Sequence, residues 1–411
     1  MARKKYALAG ASARAYYSYA KPLTEKYSST SELVGVYDIN KGRAGIVGGD
    51  CGDIPVFGNF AEMLETAKPD SVIVTTVDAY HSDYVIKSLA AGCEAIVEKP
   101  LTIDAARCRA ILEASEKYGK KVTVIFNMRY MPFASKLKEL VMDGEIGEVY
   151  NVHFEWLLDR VMDFGAHGAS YFRRWNSRME KSGGLLLHKS THHFDLVNWV
   201  IDAAPKKVAA FGKLNVYGKN GNYRGENCRN CENTKICPFY YEINGFEREF
   251  YANQEKYDGY YKDGCVFSEE IDIYDTAALT VLYDKGQMMT YSLNAAAAYE
   301  GWRMSVNGSK GRLEAFYPLS GSQAASGGTI KIFDLNDKIT EYKVAELQGD
   351  HGGSDDLMRD EIFGGGEKTP DPLGRAADIS AGVNSLMIGA AANVSIKQQG
   401  AAADIDALLK N

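Results

Sequence analysis

The sequence predicts an α/β protein of two domains: an N-terminal doubly wound parallel sheet, then a C-terminal α+β domain built on a large, mostly antiparallel sheet. Three observations carry this. The first 126 residues alternate short β-rich runs with runs of helical periodicity, the pattern of βαβ units. After Phe126 the rhythm changes to successive β-rich runs separated by turns. At 411 residues the chain also exceeds the size at which one core keeps growing. The division is 1–126 and 127–411, with the C-terminal helices free to pack back on the first domain.

In the first domain the strand candidates are KYALAG, ELVGVYD, DSVIVTT, CEAIVEKP and KVTVIF. Between them FAEMLETA, SDYVIKSLAAG and DAARCRAILEASEKYG repeat apolar residues at helical spacing. Beyond Phe126, a helix near Ala134–Met142 leads into the run EVYNVHFEWLL, a polar and aromatic loop, and then GGLLLHKSTHHFDLVNW. From about Lys206 the runs KVAAFGKLNVY, AALTVLYD, QMMTYSLNAA, WRMSVNG, GRLEAFY, TIKIFDL and ITEYKVAEL read as antiparallel strands, several divided by turns such as DKGQ and NGSKG. The tail AADISAGVNSLMIGAAANVSIKQQ is helical.

With 47 basic against 54 acidic residues, net −7, no excess of positive charge points to nucleic acid or an anionic membrane. A small-molecule partner is favoured. The basic start MARKK precedes an apolar run too short for a signal peptide, and Arg14 interrupts it. No stretch is expected to reach the roughly 18–20 apolar residues of a spanning helix. Seven cysteines, three of them single at Cys51, Cys93 and Cys108, suit a reducing compartment, so the expected location is the cytoplasm.

The turn after YALA reads Gly10-Ala-Ser12-Ala-Arg14-Ala15, a degraded G-x-G-x-x-G/A. A glycine permits the tight turn, small residues let backbone N–H groups approach a pyrophosphate, and the last lets helix pack on strand. Ser12 stands where glycine is usual, and its hydroxyl can bond a phosphate. Asp38, 23 residues beyond Ala15, is placed to accept from a ribose 2′-OH and to repel a 2′-phosphate, which favours NAD over NADP. A turn or cap role is the plainer alternative for Asp38, and Arg43 is close enough in sequence to accept a phosphate instead. On this reading the first domain is a Rossmann domain.

VEKPLT, with Glu98-Lys99-Pro100 just past a strand end, together with TTVDAYH and FNMRYMP after their own strands, resembles the Gfo/Idh/MocA family over essentially the whole chain. That resemblance implies a two-domain NAD(P)-dependent oxidoreductase acting on sugars or polyols. It implies that Lys99 contacts the substrate hydroxyl and the nicotinamide ribose, and it sets Thr75, His81 and Glu98 on the cofactor side. An ammonium beside a cationic nicotinamide should have a lowered pKa and help to relay a proton.

GGLLLHKSTHHFD is similar to the family pattern G-G-x-L-x-D-x-G-x-H-x-x-D, which places Gly183 and Gly184 on the glycines, His192 on the histidine and Asp195 on the last aspartate. His188 falls where aspartate is usual and Ser190 where glycine is. The resemblance implies His192 as base, with His188 as substrate contact, alternate base or relay. Their i, i+4 spacing predicts one helix face. Lys189 and His193 share a second face and are further candidates. H-x-x-x-H also has zincin spacing, but those enzymes carry glutamate after the first histidine, and here that residue is Lys189.

HGASYFRRWN offers His167, Tyr171 and Arg174 to a polyhydroxylated ligand, and NMRY offers Arg129 and Tyr130, although such aromatic loops often simply pack. In GDHGGSDD, His351 is a candidate to reach the substrate, while Ser354 or Asp355 reads as a helix cap. Cys228, Cys231, Cys237 and Cys265 have the ligand count of a structural zinc site; iron–sulfur coordination, disulfides and free thiols are the alternatives.

The expected function is therefore NAD-dependent oxidation of a sugar, glycoside or polyol hydroxyl. A redox glycosidase with retained NAD and a non-catalytic sugar- or NAD-sensing protein are the competing classes. A homo-oligomer, dimer or tetramer, is expected from the resemblance.

Overall fold

A computed structural model describes residues 2–160, 167–345, 347–349, 352–365 and 370–410. The first sheet has six strands, β1 Lys4–Ala9, β2 Ser31–Tyr37, β3 Val56–Phe57, β4 Ser71–Val74, β5 Glu94–Glu98 and β6 Val122–Ile125. All pair in parallel in the order β3-β2-β1-β4-β5-β6, the doubly wound order that leaves a ligand crevice at the carboxyl ends of its strands. The two-residue β3 is too short to leave a pattern in sequence.

The second sheet has nine strands: β7 Val149–Asp159, β8 Pro205–Lys213, β9 Thr276–Tyr283, β10 Met288–Ala297, β11 Gly301–Gly308, β12 Gly311–Pro318, β13 Thr329–Asp334, β14 Ile339–Lys343 and β15 Ala403–Asp404. Their order is β14-β13-β12-β11-β7-β10-β9-β8-β15, antiparallel except where β10 runs parallel to β7. Alternation along β7 buries Val152, Phe154, Trp156 and Leu158 on one face.

Helices Thr191–Ile201 and Ile379–Lys397 belong to the core beside that sheet. Helix 379–397 corrects an expectation: it is long and apolar enough to cross a membrane by length and composition. Its apolarity has another cause, since Leu386–Ala392 are buried almost without interruption among the second sheet, its neighbouring helices and β6. A helix buried all round is apolar all round.

The second part of the chain also returns to the first. Phe363, closing helix Ser354–Phe363, meets the Tyr6 ring edge-on at 5.0 Å. Phe246, in helix Gly245–Phe250, stacks on Tyr16 at 5.4 Å. Both ends of this contact lie in the core on one face of the first sheet.

Candidate active site

The turn after β1 is built as its residues predict. Gly10 has φ +106°, and a Cβ there would lie 2.7 Å from backbone atoms of Thr75 and Thr76, so only glycine fits. Ser12 caps the short helix that follows, its Oγ accepting from Ala15 N at 3.1 Å, and Ala15 is fully buried against the sheet. Asp38 Oδ2 accepts from Ala11 N at 2.6 Å, so β2 and the turn are locked together, and Oδ1 accepts from Asn40 N at 2.6 Å. Tyr251 Oη accepts from Ala13 N at 2.9 Å, which brings a residue of the second domain onto the same turn.

Several residues of the expected cofactor side also hold this edge together. Thr75 Oγ1 donates to Gly10 O at 2.8 Å. His81, buried, lies with Nδ1 2.8 Å from Pro100 O and Nε2 3.1 Å from Thr76 O. Arg14 Nε donates to Glu98 Oε1 at 2.7 Å and Nη1 to Asp355 Oδ2 at 2.6 Å, while Tyr19 donates to the same Glu98 oxygen. Thr75, His81, Arg14 and Glu98 therefore brace the loops around the crevice, because buried charges and imidazoles are stable only with partners. Asp355, expected as a cap, is fully buried and also accepts from Asn127 Nδ2 at 2.7 Å.

At the end of β5, Lys99 donates from Nζ to His188 O at 2.8 Å and precedes a cis proline. Burial, then the nearby Lys189 ammonium, lowers its pKa to about 7. His188 Nδ1 is 2.6 Å from Oδ2 of Asp78, a buried carboxyl just beyond β4. Burial pushes Asp78 up and His188 down, the latter reinforced by Lys99, Arg174 and Lys189. Both shifts favour the neutral form of each side chain.

The single helix expected to carry both histidines is interrupted. Leu185–His188 forms one turn, Lys189 leaves helical geometry, and Thr191 begins the next helix. His188 consequently faces Asp78 and the rings of Tyr171 and Trp175, at 5.9 and 5.2 Å, while His192 sits edge-on to Phe126 at 6.1 Å. Arg174 lies over the Tyr171 ring at 5.5 Å, and His167 pairs with Glu300 at 2.8 Å. Lys189 has its pKa lowered by burial, against the pull of Glu300.

Four residues expected to contact the substrate have partners within the protein. His193 is a core residue, stacked on Phe154 at 4.8 Å with Nδ1 3.0 Å from the Tyr291 hydroxyl. Asp195 and Arg129 form a buried bidentate pair at 2.7 and 2.6 Å that ties helix 191–201 to the loop after β6. Tyr130 turns away to donate to Glu361 at 2.8 Å. His351 lies outside the described residues.

None of the seven cysteines is in a disulfide. Cys228, Cys231, Cys237 and Cys265 line one small cavity. Among the described residues no three His, Cys, Asp or Glu side chains are drawn together as tightly as a single ion requires.

A family model described as "Oxidoreductase family, NAD-binding Rossmann fold" matches residues 4–126, and one described as "Oxidoreductase family, C-terminal alpha/beta domain" matches 138–403. The chain belongs to the Gfo/Idh/MocA oxidoreductase family. Among its relatives is an oxidoreductase of Bacillus subtilis (strain 168) called YteT, 37% identical over 94% of each chain. The scyllo-inositol 2-dehydrogenase (NAD(+)) of the same organism is 30% identical over 48% of this chain and 54% of its own. The WlbA dehydrogenase of Bordetella pertussis, solved with NADH and UDP-GlcNAcA, shares the fold at TM-score 0.67 and 18% identity, covering 98% and 99% of the two chains.

As a Gfo/Idh/MocA oxidoreductase the protein uses NAD, and the turn suits it: Gly10 lets the backbone pass close to Thr75 and Thr76, and Asp38 stands beside it. The residue that sequence reasoning missed is Asp78. Its signal was present in TTVDAYH: with histidine at 188, the absent carboxylate had to come from another strand end.

Proposed function

We propose that the protein is an NAD-dependent dehydrogenase that oxidises a ring or carbinol hydroxyl of a sugar, glycoside or polyol. The observation that carries this is the meeting of Lys99, His188 and Asp78 beyond the carboxyl ends of β4 and β5. NAD, when bound, supplies the hydride acceptor. The chain supplies the proton chemistry. His188, oriented through Nδ1 by Asp78, receives the hydroxyl proton, and the carboxylate stabilises the imidazolium that forms. The Asp78 contact favours His188 over His192 as base, leaving His192 beside it as a substrate contact. Lys99 hydrogen-bonds the hydroxyl through Nζ, and Tyr171, Arg174 and Trp175 form the wall against which a polyhydroxylated ring rests.

Arg43 donates to Asp258 at 2.6 Å and to Asp38 at 3.4 Å. A guanidinium held by two carboxylates is poorly placed to take a 2′-phosphate, which supports NAD over NADP. The four cysteines are read as a structural metal site, zinc being the ordinary tenant of four thiolates. Phe211, Leu282 and Met288, exposed on β8, β9 and β10, support a second copy packing on the open face of the nine-stranded sheet.

A panel of sugars, polyols and glycosides followed by NADH absorbance and product analysis tests the function. Stoichiometric NADH with a ketone product is expected. Glycoside cleavage without net NADH, or NAD binding with no reaction across the panel, would overturn the proposal.

A further inference from the structure

Resting on the reading of this site as that of a sugar dehydrogenase, we propose that its substrate is an acidic sugar, a hexuronic acid or its glycoside, whose carboxylate is held by Arg174 and Lys189. Positive charge gathers around the proposed base. Lys99 Nζ donates to His188 O at 2.8 Å, Lys189 follows His188 in the chain, and Arg174 lies over the Tyr171 ring at 5.5 Å, itself 5.9 Å from the His188 ring. After burial, Lys99, Arg174 and Lys189 push His188 away from protonation. Burial and then Lys189 lower Lys99, and burial lowers Lys189, with Arg14 and Arg174 adding to it against Glu300. Cations crowded into a crevice repel one another more strongly than in water, and an anion bound among them relieves that repulsion.

The carboxylates at hand are engaged elsewhere. Asp78 holds His188, Glu98 and Asp355 hold Arg14, and both oxygens of Glu300 meet Nδ1 of His167, at 2.8 and 2.9 Å. Arg174 is placed by neutral groups instead: Nε donates to Ser170 O at 2.9 Å and Nη2 to Ser170 Oγ at 3.3 Å, one turn back. A part-buried guanidinium oriented by its own segment beside an aromatic wall is preorganised for a planar anion. The amount of charge favours a carboxylate over a phosphate. Lys99, with a pKa of about 7, gives up much of its proton at neutral pH, and what remains is balanced better by a monoanion than by a dianion.

The oxidation itself is unaltered. The carbinol carbon gives its hydride to NAD, the hydroxyl proton passes to His188, and the carboxylate is neither made nor consumed. Its part is positional: a charge anchored at one end of the sugar fixes which hydroxyl faces the base.

The test compares hexuronates of the gluco, galacto and manno series and their methyl glycosides with the matching neutral sugars and 6-phosphates, on the full-length protein. Calorimetry in the presence of NADH, which cannot oxidise them, reads binding; NADH formation from NAD reads turnover. A hexuronate should bind at least about tenfold tighter than its neutral counterpart, the low end for a charge-assisted hydrogen bond. Arg174→Gln, its fold checked by a thermal melt, should erase that preference, and Lys189→Met should reduce it. Equal binding of acidic and neutral sugars, tighter binding of a 6-phosphate, or a preference that survives Arg174→Gln would overturn the inference, while NADH formed from neutral sugars would leave the dehydrogenase standing. Selective hexuronate binding with no NADH from any sugar would support the acidic-sugar site and overturn the dehydrogenase.

Discussion

Nδ1 of His188 lies 2.6 Å from Oδ2 of Asp78, so a carboxyl group just beyond β4 holds the imidazole proposed as the base. Asp78→Asn should hold the imidazole in the wrong tautomer. We expect kcat to fall by about 10²–10⁴-fold, with NAD affinity and thermal stability close to wild type. A loss under threefold in steady-state kinetics would remove Asp78 from the mechanism.

Lys99 gives the rate a dependence on pH. Its ammonium, with a pKa near 7, disfavours a proton on His188. Raising the pH through 7 removes that charge and makes His188 a stronger base, so kcat/KM for oxidation should rise there. Lys99→Met should lack this limb. Folding carries the same sign: between about 7 and the ordinary lysine value of about 10.4 the unfolded chain holds a proton that the folded chain does not. Wild-type stability relative to the variant should increase across that window, as read by denaturant melts at several pH values.

The Arg129–Asp195 pair is assigned to stability rather than to substrate. Asp195→Asn leaves the buried Arg129 guanidinium uncompensated and should cost about 3–5 kcal/mol. Melts would measure that loss, while kcat per folded molecule and KM for the sugar should stay within about twofold. A selective rise in KM would return Asp195 to the substrate site.

Cofactor choice should resist a single change. Asp38→Ala should raise KM for NAD, about tenfold for a lost charge-assisted hydrogen bond, yet give little use of NADP because Asp258 still holds Arg43. Removing both carboxylates frees Arg43, and the double variant should gain NADP activity. Equal gain in the single variant would show that Asp258 is irrelevant.

The parallel sheet was legible in sequence because each strand and helix carries its own periodicity, and the glycine turn because Gly10 answers a local steric demand. What periodicity does not contain is which face meets which neighbour. His188 and His192 look paired at i, i+4, but the helix breaks at Lys189, and that break sends one to Asp78 and the other toward Phe126. His193 and Asp195 read as polar and available, whereas Phe154, Tyr291 and Arg129, all distant in sequence, enclose them. Arg14 and Glu98 show the same thing: each has a charged partner, distant in sequence, that no local pattern names.

Tyr251 on the glycine turn, Asp258 on Arg43 and Asp355 on Arg14 all come from beyond residue 240. The first 126 residues are therefore not a transplantable nucleotide module. Grafted onto another substrate domain they would keep the glycine fingerprint and lose its scaffolding, and a protease cut in the 245–258 segment would release cofactor before it unfolded either sheet.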